Sequence, residues 1–235
     1  MPNYVKNRIS YEGDPAQIRR MLLEIADDSL GIGSIDFNKV IPMPPSLSIE
    51  ASSRTEDGLR KYREYVSVKE AHGDLSEYET YRQSHPEEWE LGKTAYENLY
   101  TYGFKTWYEW CTAVWGTKWP AMEQNVSAAS DREFSFETAW SFPHGIVSQL
   151  SERYPEIVFT ARWADEDLGN NCGGAVYKAG NLQNLYCPDQ LTEAIDLALE
   201  VWESDPRDWG LALVTDRDGN RTYRQVSGER ECEER

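Results

Sequence analysis

EFSFETAWSFPHGIVSQLSERYPEIVFTARW, residues 133 to 163, decides how the rest of the chain is read. Phe134, Phe136, Thr138, Trp140 and Phe142 fall on one side of an extended segment, with Ser135, Glu137, Ala139 and Ser141 on the other. A period of two with large rings on one face marks a half-buried strand. Pro143 cannot donate to a strand ladder and closes the run. Ile146, Val147, Leu150 and Tyr154 then recur at helical spacing until Pro155 stops the helix. Ile157, Phe159, Ala161 and Trp163 alternate with Val158, Thr160 and Arg162 as a second strand. The core rings expected from this strand, helix, strand unit are Phe134, Phe136, Trp140, Phe159 and Trp163.

Upstream, residues 4–11 alternate and read as a first strand. Asp14, Pro15 and Gln17 supply an N-cap, a first-turn proline and a capping-box partner. The helix they open has the stripe Ile18, Met21, Leu22 and Ile25. Gly31 and Gly33 stop it, and residues 34–41 read as a second strand running into Pro42, Pro44 and Pro45. From 46 to 112 the character changes to Glu, Tyr, Arg and Lys with no strand pattern. Two or three helices are expected there, at roughly 55–71, 74–84 and 87–112, forming an insertion rather than an arm for a partner.

Downstream of the central unit come an acidic loop at 165–169 and strands at 173–178 and 182–187. Pro188 and Asp189 open a helix with the stripe Leu191, Ile195, Ala198, Leu199 and Trp202. Residues 211–215 and 221–226 pair as a hairpin across Asp218-Gly219. The expected architecture is one α+β domain over residues 1–235, an antiparallel sheet with helices on one face. A helical insertion spans about 46–112 and a C-terminal helix and hairpin extension about 188–228.

Nine Trp and fourteen Tyr in 235 residues, with 40% hydrophobic side chains, are enough to build a globular core largely from rings. Against 24 basic side chains stand 41 acidic ones, a net charge of −17. Such a field repels phosphates, so direct nucleic-acid binding is disfavoured and a basic protein partner is favoured. Cys111, Cys172, Cys187 and Cys232 show no CxxC pair and no histidine at metal spacing, so neither a metal nor another cofactor is expected. No stretch is apolar for the length of a membrane span and no signal peptide opens the chain; a bacterial cytoplasm is the expected compartment.

Candidate chemistry is sparse. Gly31-x-Gly33 lacks a third glycine and reads as a helix stop, and Asp216 to Asn220 lacks the glycine position and the distal Glu of a calcium loop. His144 stands at the end of a strand, where ligands often bind, but no nucleophile motif accompanies it. Asp165, Glu166 and Asp167 have the residue types of a cation or acid–base site; a solvated loop is the plainer reading. Trp107, Trp110, Trp115, Lys118 and Trp119 cluster densely enough to form a stacking platform, although wedging of the insertion against the sheet is the favoured reading. These nine residues are the binding candidates; no catalytic residue is assigned.

MPNYVKNRI at the start, DFNKVIPMP at 36–44, WYEW at 107–110, WGTKW at 115–119 and FETAWSFP at 136–143 resemble the YubB-type domain of unknown function. That family occurs in plasmids and phages and carries a ferredoxin-like domain. The resemblance implies a ferredoxin-like α+β fold with a helical insertion, and transfers no catalytic residue. "Ferredoxin-like" names only a fold here, since the cysteine spacing of an iron–sulfur cluster is missing. The expected function is that of a non-enzymatic accessory protein of a mobile element, binding a basic host or phage protein through an acidic surface, for instance in a host defence system. The competing expectation is a small-ligand binder or enzyme with its site at the strand ends near His144 and Asp165 to Asp167.

Overall fold

Residues 3–126 and 132–226 are described by a computed structural model of the chain. They divide into two compact units, one made of Met1–Val40 with Trp119–Arg235 and one of Ile41–Lys118. The first contains β1 (Tyr4–Glu12), α1 (Pro15–Ile25) and α2 (Phe37–Val40) before the break. The second contains α3 (Ser53–Glu70), α4 (Ser76–Ser84), α5 (Pro86–Tyr102) and α6 (Trp107–Trp110). The first unit then resumes with β2 (Glu133–Ala139), α7 (His144–Arg153), β3 (Val158–Asp165), β4 (Gly173–Lys178) and β5 (Asn181–Tyr186). It ends with α8 (Leu191–Trp202) and the hairpin of β6 (Leu211–Thr215) and β7 (Arg221–Gln225).

The sheet order is β2-β1-β3-β4-β5, antiparallel at every step. β2 and β3 therefore run parallel, joined by α7, with β1 inserted between them: the split βαβ arrangement of a ferredoxin-like fold. Alternation decides which side is core. Val5, Asn7, Ile9 and Tyr11 of β1 are buried, as are Phe134 and Phe136 of β2 and Phe159, Ala161 and Trp163 of β3. α7 lies on this face against β3 and β4, and α2 packs on α7 with Phe37 edge-on to Phe136, ring centroids 5.8 Å apart.

The opposite face carries the alternate, charged residues. Lys6 pairs with Glu137, Arg8 with Glu133 and Glu203, and Arg162 with Glu200. α8, from the C-terminal extension, crosses this second face over β3 and β1, burying Ala198 and Val201 against Ala164. The β6–β7 hairpin is a separate two-stranded sheet, held to α8 through Ile195, Leu199, Leu211 and Tyr223.

Three expectations fail, each for a local reason. Trp140 is 40% exposed because its φ of +75° turns the chain and breaks the period of two after Ala139. Phe142 fills the core instead, stacked on Trp163 at 4.5 Å. Residues 34–41 form no strand: the Asp36 carboxylate accepts the Asn38 N–H and starts α2, and only an isolated bridge at Ile32 and Ser34 remains. The single helix expected at 87–112 is broken at Gly103, where φ is +79°. A capping box of Thr106 and Glu109 then starts α6, which runs into a π-helical turn at Cys111–Trp115.

In the second unit α3 and α5 cross at Gly58 and Gly92. A Cβ on Gly58 would overlap the Glu88 carbonyl oxygen, and one on Gly92 the backbone of Gly58. Around that contact Tyr62 and Tyr65 pack edge-on to Trp89 at 5.3 and 5.2 Å, and Tyr78 and Tyr81 of α4 close the cluster. Buried Asn98 ties the unit's flanks together: it accepts from Ser46 Oγ and donates to the carbonyls of Ser46 and Lys105.

Two substitutions test this packing by denaturant unfolding. Alanine is the better helix former by about 1 kcal/mol, yet Gly92→Ala is expected to destabilise, because overpacking of a closed contact costs about 1–3 kcal/mol. Phe136→Ala is expected to cost about 3–5 kcal/mol, whereas Trp140→Ala costs about 1 kcal/mol or less. Equal losses for Phe136→Ala and Trp140→Ala would return Trp140 to the core.

Candidate functional site

His144 is the first residue of α7, directly after Pro143. Its ring is edge-on to Phe142 at 4.7 Å and to Trp163 at 5.4 Å, and its Nδ1 lies 2.5 Å from the Tyr177 hydroxyl. Burial of this inner edge lowers the histidine pKa, and burial pushes the Tyr177 phenol up to about 12. At neutral pH the phenol is therefore the donor and a neutral imidazole the acceptor, which leaves the imidazole proton on Nε2. The outer side of His144 is exposed. A neutral, hydrogen-bonded imidazole beside three rings can accept or donate one further hydrogen bond, and no carboxylate is bonded to it.

Asp165 is not part of a solvated loop. It is 5% exposed and works as a joint: Oδ1 accepts from Asn3 Nδ2 and from the Asp167 N–H, and Oδ2 accepts from Asn171 Nδ2. Asn171 also donates to the Trp140 carbonyl, so one carboxylate ties the first residues of the chain to the ends of β2 and β3. Glu166 and Asp167 are exposed. Glu166 accepts the Tyr4 N–H, and Asp167 accepts from the Asn170 side chain.

The aromatic cluster of the second unit is mostly interior. Trp110 and Trp115 are buried, edge-on to each other at 5.4 Å, and Trp115 Nε1 donates to the Ile41 carbonyl. Trp107 and Lys118 are half-buried; Trp107 packs edge-on to Tyr108, and the Lys118 ammonium stands 5.7 Å from the Tyr108 ring. Trp119 is half-buried and belongs to the first unit. The nine candidates thus divide between two units and do not form one constellation.

Cys111 is buried, which pushes its thiol up to about 11; Cys172 is half-buried and Cys187 exposed. All three are free thiols, and Cys232 lies outside the described residues. Among the described residues no cluster of His, Cys, Asp and Glu has the make-up of a metal site, and no helix is long and apolar enough to cross a membrane.

The most exposed feature of the sheet is one that sequence reading registered only as a strand. Every residue of β5 is exposed, with Leu182, Leu185 and Tyr186 at about half of full exposure. A register shift on β4 places Leu185 opposite Ala175 and Leu182 opposite Tyr177, so both leucines share the α7 face, with Gln183 as the extra residue. The other outer strand is covered, since Met122 and Asn125 bond to the backbone of β2. Among the described residues nothing pairs with the outer edge of β5. Its sequence, NLQNLY, has none of the charges or prolines that usually blunt such an edge. An uncharged strand without Pro, flanked by turns, was the available signal.

Residues 114–205, which span β2 to α8, match the family model described as "Ferredoxin-like domain in Api92-like protein". That segment carries a ferredoxin-like domain. Among solved structures, the crystal structure of protein Api92 from Yersinia pseudotuberculosis is similar at a TM-score of 0.40 and 8% identity, covering 81% of this chain and 99% of that one. The comparison with curated proteins returns no match.

Two measurements test the local chemistry. The folded-state pKa of His144 lies below its unfolded value, near 6.5. The unfolded chain therefore binds more protons, and the stability contributed by the neutral imidazole is present above about pH 6.5 and lost as pH falls through the folded pKa. Denaturant midpoints measured from pH 8 to pH 5 should fall less steeply for His144→Asn than for the parent chain. Asp165→Lys should cost at least about 2 kcal/mol by placing an ammonium in a buried position that faces three hydrogen-bond donors, whereas Asp167→Lys should stay within about 0.5 kcal/mol.

Proposed function

We propose that this chain is a protein-docking module that receives an extended strand of a basic partner on the open edge of β5, and that it acts as a plasmid or phage accessory protein in the cytoplasm of its bacterial host. The observation that carries this reading is the edge itself: six consecutive exposed residues, no charge, and two leucines on one face. Exposed polar backbone on such a strand offers main-chain hydrogen bonds, and the leucines offer contacts that fix which residues of the incoming strand fit. The net charge of −17 adds long-range attraction for a basic partner, which accelerates encounter rather than setting the register. The plasmid or phage setting rests on the resemblance of the chain's blocks to the YubB-type family, while the Api92-like match over residues 114–205 supports the ferredoxin-like domain alone.

The docking strand, in this reading, replaces the acidic loop as the contact surface. Asp165 is occupied within the fold, and only Glu166 and Asp167 are left to contribute to the field.

The test uses tagged full-length chain, with partners captured from plasmid-bearing or phage-infected cells and then rebound in purified form. Leu182→Lys with Leu185→Lys is expected to weaken binding at least about tenfold through faster dissociation, while Glu166→Lys with Asp167→Lys slows association and flattens its salt dependence. Binding that survives the leucine substitutions and is indifferent to salt would remove the β5 edge from the interface.

A further inference from the structure

A second concave feature lies where the C-terminal end of β1 meets the start of α1. This cleft measures about 870 Å³, within the range of small-molecule sites. Tyr11, Ile18, Leu22 and Ile32 are among its lining residues, and Ile32 is half exposed at the rim. Two arginines, Arg19 and Arg132, line the same cleft against a single acid, Glu12. In a chain that carries 41 acidic side chains, neither guanidinium forms an ion pair with a described carboxylate. Most other arginines of the sheet unit do: Arg8, Arg20, Arg162, Arg207 and Arg221 all have acidic partners.

We infer that this cleft binds an amphipathic anion, a molecule with an apolar or aromatic body and one oxyanion head. Water in a cleft with apolar walls is displaced favourably by an apolar body, at roughly 25 cal/mol for each Å² removed from solvent. Two guanidiniums that no described carboxylate pairs with stand beside that wall and present planar donor forks suited to a carboxylate, sulfonate or phosphate. The lining carries a net positive charge inside a strongly negative molecule, so an anion that binds here finds a local attraction against the overall field. A neutral apolar molecule would leave both guanidiniums without a partner, and a small inorganic anion would leave the apolar wall wet. Neither matches both halves of the site.

The cleft is formed by β1, α1 and the start of β2, whereas the β5 edge bounds the other side of the sheet. Ligand binding and protein docking therefore stand or fall separately.

The experiment uses the full-length chain and follows displacement of 1-anilinonaphthalene-8-sulfonate by decanoate, decanol and inorganic phosphate. Decanoate is expected to displace the dye saturably, at least about tenfold more tightly than decanol, with phosphate ineffective at millimolar concentration. Arg19→Gln with Arg132→Gln should bring decanoate down to the level of decanol and leave decanol unchanged. Both side chains are exposed and unpaired, so this variant is expected to unfold at the parent midpoint, and Ile32→Gln provides a second variant that should weaken decanoate and decanol together. Equal affinity for decanoate and decanol, full retention of decanoate binding by the arginine variant, or displacement by phosphate alone would each overturn the inference.

Discussion

The sheet depends on one buried amide. Asn7 sits at the middle of β1 with no exposed surface, and its Nδ2 donates to Thr138 Oγ1 at 2.9 Å and to the Val5 carbonyl at 2.9 Å. Thr138, also fully buried, donates its own hydroxyl hydrogen bond to the Ser141 carbonyl. Sliding β1 along β2 by two residues would keep apolar side chains facing the core but break the buried Asn7–Thr138 hydrogen bond, at about 0.5–1.5 kcal/mol. Hydrophobic alternation selects the face; the Asn7–Thr138 pair selects the register. That matters because β1 pairs with strands that begin more than a hundred residues later, so no short turn sets its alignment.

The same logic of one close contact governs the second unit by different means. There are few fully apolar residues on α3, and its buried set is Thr55, Gly58 and Leu59. What holds the helices together is backbone approach at Gly58 and Gly92, which brings the tyrosine rings and Trp89 into contact along the seam. A helix pair built this way shows little amphipathic stripe, because glycine removes bulk rather than adding it, and tyrosine counts as half polar in any hydropathy pattern.

The proposed docking role follows from what the sheet leaves uncovered. α7 and α2 close one face, α8 with its ion pairs crosses the other, and the Met122 to Asn125 segment seals the outer side of β2. β5 is what remains, an uncharged strand on an acidic molecule. The His144 and Tyr177 pair sits beneath it as a structural hydrogen bond between α7 and β4, and Asp165 acts as a joint rather than an acid. In the proposed docking role electrostatics and contact would separate: charge on the exposed loops would attract a basic partner, and the neutral backbone of β5 would bind it.

Short-range pattern was enough for β1, α1, β2, α7, β3 and the β6–β7 hairpin, since alternation, helical spacing, Pro15, Pro143 and Asp218-Gly219 act on neighbouring residues. Pattern also placed Phe134, Phe136, Phe159 and Trp163 in the core. It failed where a single residue's backbone angle overrode periodicity, at Trp140 and Gly103, and where the Asp36 side chain offered the backbone a helical start in place of a strand. The candidate site was legible only as residue types. Whether Asp165 faces water or three hydrogen-bond donors of the fold, whether β5 is an inner or an edge strand, and whether Arg19 meets an acid are matters of sheet order and long-range packing. Those contacts join residues far apart in the chain, and local sequence carries the propensity of each partner but not the distance between them.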